Sequence, residues 1–149
     1  MTERKRVFFQ LIQDDEGYPP VSAESLWTIP VQGGRFVLDN VPFFARDATI
    51  GDTIEVREEE GRLWYRATVD RSGNSLLRVI MYDSAKITEV TTALRSLGCE
   101  TELSEQHRLL AVSVPASASL PAVQRYLMDM ASRDVLDYEE PLLRQDGID

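Results

Sequence analysis

The hydrophobic pattern of this chain changes period once, near Asp83, and that change constrains the fold more than any motif. Before it, apolar residues swing in twos. In "TIEVRE" the apolar Ile54 and Val56 alternate with Thr53, Glu55 and Arg57, the signature of a half-buried strand. Similar short runs, "KRVFFQLIQ" (5–13), "AESLWTIPV" (23–31), "RFVLDNVP" (35–42), "DTIEVREEE" (52–60), "LWYRATVD" (63–70) and "SLLRVIMYD" (75–83), are divided by turn formers such as "DDEGYPP", "QGG" and "RSGN". Strands at this spacing predict a small antiparallel β-barrel or a strongly curled sheet.

After Asp83 the apolar residues step in threes and fours. Ile87, Val90, Leu94 and Leu97 form one helical stripe, and Gly98 stands where a helix commonly stops. Leu120, Val123, Leu127 and Met130 repeat the stripe 33 residues later. Strand-like runs precede, separate and follow the two helices. The offset extends upstream: "LLRVIMYD" laid on "LLAVSVPA" matches Leu76 with Leu109, Leu77 with Leu110 and Val79 with Val112. Any two strand–helix units share such a pattern, so the architectural content is two successive β–α–β units. Their expected product is a ferredoxin-like βαββαβ sandwich with two helices on one face. The fold class expected is therefore α+β, with a β-rich subdomain over 1–74 continuous with the ferredoxin-like subdomain over 75–149. The strand 75–83 is expected to close the first sheet and open the second.

The segment "DNVPFFARDATIGDTIEV" (39–56) interrupts the strands with two adjacent phenylalanines. Pro42 fixes its own φ and pushes Val41 towards extended geometry. Asn40 can cap the turn with its side chain, and Asp52, after Gly51, can hydrogen-bond local amides. If the backbone stays extended, Phe43 and Phe44 point in opposite directions, so one ring enters the core and its neighbour lines a surface. The corner reads either as a turn with a core plug or as an apolar recognition patch rimmed by Glu24, Trp27 and Arg46. Candidate binding residues are thus Glu24, Trp27, Asn40, Phe43, Phe44, Arg46 and Asp52, together with the carboxylates Glu58, Glu59 and Glu60 before the turn at Gly61.

"YPPVSAESLWTIPVQGGRFVLDNVPFFARDATIGDTIEV" and the following "GRLWYRATVDRSGNSLLRV" resemble an uncharacterised bacterial domain family, domain of unknown function number 4265. The likeness is carried by Pro19, Pro20, Glu24, Trp27, Asn40, Pro42, Phe43, Phe44, Gly51, Asp52, Trp64, Ser75 and Arg78, and weakens after residue 98. The resemblance implies a bacterial protein and a Glu–Trp strand beside an Asn–x–Pro–Phe–Phe corner. It lends no activity and no catalytic residue.

No motif for catalysis is found. With one histidine, His107, and one cysteine, Cys99, a conventional zinc site is not expected, nor is a disulfide. There is no G-x-S-x-G elbow, no G-x-G-x-x-G and no phosphate-binding G-x-x-x-x-G-K-[ST]. Acidic residues are plentiful, but paired carboxylates do acid–base work only in an enclosed site, and these stand in turns or at strand ends, where solvation is expected. No catalytic residue, metal or cofactor is expected.

The net charge of −9 is spread over both halves. Such a field repels phosphate backbones and speeds association with a basic protein. No apolar run reaches the roughly 20 residues of a membrane span, and "MTERKRVFFQLIQ" lacks the build of a signal peptide, so the expected location is cytoplasmic. The leading expectation is a non-enzymatic, acidic protein-binding module, an immunity- or antitoxin-type inhibitor of a basic bacterial protein, with neither nucleic acid nor membrane as partner. The alternative is a ligand-sensing regulatory domain of ferredoxin-like type.

Overall fold

The structure is a computed structural model that describes residues 3–148; Met1, Thr2 and Asp149, which the expected subdomains include, lie outside the described residues. The chain divides after Ser72 into two compact units. It is of mixed α+β build, with two helices and two sheets, one of them ring-like.

The first unit is a five-strand meander: β1 (Lys5–Gln10), β2 (Ala23–Val31), β3 (Arg35–Leu38), β4 (Thr53–Glu59) and β5 (Arg62–Asp70). Each strand pairs antiparallel with the next. The ring closes through β1 and β5, which register Val7 with Leu63 and Phe8 with Trp64 in parallel. Parity dictates this. In an up-and-down meander of five, the first and last strands run the same way, so closure cannot be antiparallel. The expectation of a wholly antiparallel sheet is corrected at that one seam. Inside the ring, Val7, Phe9, Leu26, Leu38 and Ile54 are buried with Ala45 and Ala48, and Tyr65 stacks on Phe9 with centroids 4.5 Å apart.

The second unit contains β6 (Ser75–Met81), α1 (Ile87–Ser96), β7 (Glu100–Ser104), β8 (Leu109–Val114), α2 (Leu120–Ser132) and β9 (Leu136–Leu142). The sheet order is β7-β8-β6-β9, with all neighbours antiparallel. The two strands of each β–α–β unit are therefore separated by one strand from the other unit. Alternate residues of β6, namely Leu77, Val79 and Met81, share one core with Val90 and Leu94 of α1 and Leu120, Val123 and Leu127 of α2. Both apolar stripes thus meet the same sheet face.

The helix ends follow from local chemistry. Ser119 caps α2, its Oγ accepting from the Ala122 N–H at 3.2 Å, and Pro121 occupies the first turn, where no amide partner is lost. After α1 the chain turns at Gly98 with φ +97°, and a Cβ there would stand 3.1 Å from that of Ala118.

One expectation fails. β6 does not close the first sheet: its pairs are with β8 and β9. The ring was already complete, because β1 supplies β5 with its second neighbour. Sequence periodicity identifies strands but cannot say which edge a distant strand will occupy.

Candidate functional site

The Asn40–Phe44 corner is held by side chains rather than by strand pairing. The backbone N–H groups of Phe43, Phe44 and Ala45 donate to the Glu24 carboxylate at 2.6, 3.0 and 2.8 Å. Three successive amides aimed at one point form an anion cradle, and Glu24 fills it from β2. Asn40 Oδ1 accepts from the Trp27 N–H at 2.7 Å. Asp52 is fully buried; its carboxylate accepts from the Thr49 N–H at 3.1 Å and from both the N–H and the hydroxyl of Ser72 at 2.9 Å. Charge-assisted bonds of this kind are the strong ones, and they tie a long loop to the ring without consuming apolar surface.

Of the two phenylalanines, Phe44 is buried and meets Tyr18 edge-on at 6.2 Å, whereas Phe43 is partly exposed. Arg46 is exposed on the following residues. The candidates around the corner thus separate: Glu24, Asn40 and Asp52 are engaged by backbone groups within the unit, and Trp27 faces elsewhere.

Trp27 belongs to a different constellation, on the outer face of the ring. Strand alternation turns Arg6 and Phe8 of β1, Trp27 of β2, Arg57 of β4, and Arg62 and Trp64 of β5 outward, opposite the buried Val7, Phe9, Leu26 and Ile54. Arg4 and Arg6 lie over the Trp27 ring at 5.3 and 4.4 Å, Arg62 over Phe8 at 4.9 Å, and Arg57 over Trp64 at 5.7 Å. Phe8 and Trp64 touch with centroids 5.6 Å apart. Guanidinium and ring alternate across four neighbouring strands.

Two shallow depressions lie on this face. One, of about 580 Å3, is bordered by Ala23, Arg57, Glu60, Arg62 and Trp64. The other, of about 460 Å3, is bordered by Arg6, Phe8, Glu58 and Arg62. Arg62 lines both. The carboxylates of the hairpin tip, Glu58, Glu59 and Glu60, are exposed here, but Glu59 pairs with Arg57, so the tip is not a purely acidic surface. Arg4 pairs with Asp39 at 2.8 Å and Lys5 with Glu3 at 3.0 Å. Arg6 bonds to the Ser25 hydroxyl at 2.7 Å, and among the described residues neither Arg6 nor Arg62 has a carboxylate partner.

The sequence pointed to Trp27 and to the tip but missed Arg6, Phe8, Arg57, Arg62 and Trp64 as a group. The alternation in "KRVFFQ" and "RLWYRA" marks these residues as outward-facing. What joins them is the parallel β1–β5 seam, whose register no local pattern announces.

In the second unit, burial pushes the Cys99 thiol up to about 11, away from the thiolate that a nucleophile needs. His107, half-buried in the β7–β8 turn, shares a hydrogen bond with the Ser104 hydroxyl at 3.0 Å. Arg78, almost wholly buried on β6, lies 3.6 Å from Glu139 of β9. Among the described residues there is no group of three His, Cys, Asp or Glu that could hold a metal ion, and no helix is long and apolar enough to cross a membrane.

These features are those of an α+β domain with an arginine–aromatic sheet face. Residues 24–138 match the family described as Domain of unknown function (DUF4265), and the chain belongs to that family. A solved structure described as "Novel crystal structure of a hypothetical protein from Neisseria gonorrhoeae" is similar at 17% identity, with a TM-score of 0.82 over 98% of this chain and 99% of that one. At that identity the likeness speaks to fold alone. No curated protein matches this chain.

Proposed function

We propose that the protein is a non-enzymatic binding module whose working surface is the arginine–aromatic face of the first unit. In this reading the ring is a small closed β-barrel and the second unit a ferredoxin-like sandwich. The observation that carries the reading is the alternation of Arg6, Arg57 and Arg62 with Phe8, Trp27 and Trp64 on one exposed sheet face. Tryptophan and arginine are the side chains most often found at the energetic centres of protein interfaces. Rings already ordered by stacked guanidinium groups lose little freedom when a partner covers them.

The carboxylates that composition made prominent are put to other uses. Glu24 and Asp52 hold backbone amides, and the hairpin tip carries an arginine beside its glutamates. Net charge favours a basic partner. The polarity of the contact itself comes from the face, where arginine lies next to each aromatic ring.

Co-purification from native bacterial cytoplasm tests the proposal. A stoichiometric partner should be retained by the wild-type chain and lost on Trp64→Ala. Recovery of no partner, or equal retention by the variant, would count against it.

A second reading has its own observation. An open groove of about 300 Å3 between α1 and β7 is bordered by Thr88, Thr91, Thr92, Arg95 and Thr101, with apolar Ile87, Leu103 and Leu110 beside them. Hydroxyls and one cation beside a sheet edge suit a small polar ligand, as in a ligand-sensing domain. Thermal-shift screening with amino acids and nucleotides should then raise the melting temperature as mass action requires; a flat screen would retire this reading.

A further inference from the structure

The binding reading leaves the partner's chemistry open, and Arg6 and Arg62 narrow it. One residue before the Val7–Leu63 pair of the parallel seam, these two cations stand on adjacent strands. Like charges opposed across strands are unfavourable unless something anionic sits with them. Arg4, Lys5 and Arg57 each have a carboxylate from the chain itself, whereas among the described residues Arg6 and Arg62 have none. Each lies over a ring, the Arg6 guanidinium carbon 4.4 Å from the centre of Trp27 and that of Arg62 4.9 Å from the centre of Phe8. A guanidinium held over a ring keeps N–H groups for a two-oxygen acceptor, Arg6 those beyond the one it gives to the Ser25 hydroxyl.

Resting on the binding-module reading, we propose that this face receives an acidic peptide segment of a partner protein. Carboxylates of the segment seat against Arg6 and Arg62, and its apolar side chains cover Phe8, Trp27 and Trp64. Single-stranded nucleic acid also stacks on aromatic rings beside cations. It fits less well here: a phosphate backbone, charged at every residue, would run past Glu58, Glu59 and Glu60 as it crossed the face. A short peptide can place a few carboxylates at the two arginines and none at the tip. Depressions of about 580 and 460 Å3 likewise suit a few side chains.

The chain has two tryptophans, Trp27 and Trp64, and both belong to this face, so intrinsic fluorescence reports on it directly. The probes are three: a short synthetic peptide alternating glutamate with leucine, its lysine counterpart, and an oligothymidylate. The glutamate peptide should shift the emission saturably, and the affinity should weaken as salt is raised. Arg62→Gln and Arg6→Gln should each weaken it roughly tenfold, the loss expected for one charge-assisted contact. Arg62→Lys, which keeps the charge but not the planar fork, should fall between, and Arg125→Gln on α2 should leave it unchanged. Circular dichroism confirms that each variant is folded.

A saturable response to the lysine peptide alone, abolished by replacing Glu58, Glu59 and Glu60 with glutamine, would overturn the acidic partner while preserving the binding module. Saturation by oligothymidylate alone would overturn it in favour of nucleic acid. So would tryptophan emission indifferent to all three probes; if co-purification still recovered a partner that Trp64→Ala releases, only this inference, and not the binding module, would fail.

Discussion

The two units solve the same problem, closing a sheet around a core, by opposite means. The second buries 14 apolar residues between one sheet face and two helices. The first buries seven inside its ring, two of them (Ala45 and Ala48) from the long loop between β3 and β4, and fastens that loop further with Glu24, Asn40 and Asp52. What differs is where polar groups are put. Inside the ring unit they bond the backbone of a loop whose apolar side chains are also buried, and on its outside arginines stand over aromatic rings. The lesson is that a carboxylate in a suggestive corner can be a structural strut, and the surface worth testing lies on the other side of the same strand.

Substitutions sharpen the contrast, the largest effect coming first. Leu127→Ala empties a fully buried site in the sandwich core and should cost about 3–5 kcal/mol in urea unfolding, the range of leucine truncations that leave a cavity. A loss below about 1 kcal/mol would mean that the second unit does not depend on that core. Glu24→Ala should cost less, about 2–3 kcal/mol, because partly buried amides left without an acceptor recover only part of their solvation. Its signature is local: hydrogen exchange should accelerate at Phe43, Phe44 and Ala45 but not in α1 or α2. Uniform acceleration across both helices would break the distinction drawn here.

Alkaline pH should act on the second unit through Cys99. Below about 9 its thiol is protonated whether the chain is folded or not; above that, the unfolded chain ionises first, because burial raises the folded value to about 11. This contribution is therefore complete below the unfolded value and is lost as pH rises towards the folded one, at about 1.4 kcal/mol per pH unit. Tyr126 and Tyr138 are also raised, by burial first and then by neighbouring carboxylates, so the Cys99 share is read as the difference between wild type and Cys99→Ala. Parallel stability curves for the two would contradict it. Smallest of all, Arg57→Ala removes an exposed ion pair with Glu59 and a distant ring contact, and should change stability by no more than about 1 kcal/mol. A larger loss would show that the outer face supports the ring as well as presenting a surface.

Much of the fold is legible in the chain because strands and helices announce themselves locally. The period-two run at Ile54 and Val56 and the stripe through Val90 and Leu94 both stand where their spacing puts them. The opposed faces of Trp64 and Tyr65 follow from strand alternation, whereas Phe43 and Phe44 part ways at a bend of the loop and not on an extended strand. What was not legible is long-range register. Val7 meets Leu63 across more than fifty residues of intervening chain, and neither neighbourhood encodes the other. The same ignorance misplaced β6 and hid the arginine–aromatic face. The roles of Glu24 and Asp52 were half visible: Asp52 bonds the local Thr49 amide as its turn suggested, but the Ser72 amide it also holds, and the amides that Glu24 holds, lie about twenty residues away.

The most direct test of this account is nuclear magnetic resonance of the labelled chain titrated with the alternating glutamate–leucine peptide. The indole N–H signals of Trp27 and Trp64 and the guanidinium signals of Arg6 and Arg62 should move together and saturate, while amides of α1 and the β7 edge stay still. Movement confined to Thr88, Thr91, Thr92 and Thr101, with both indoles unchanged, would contradict it.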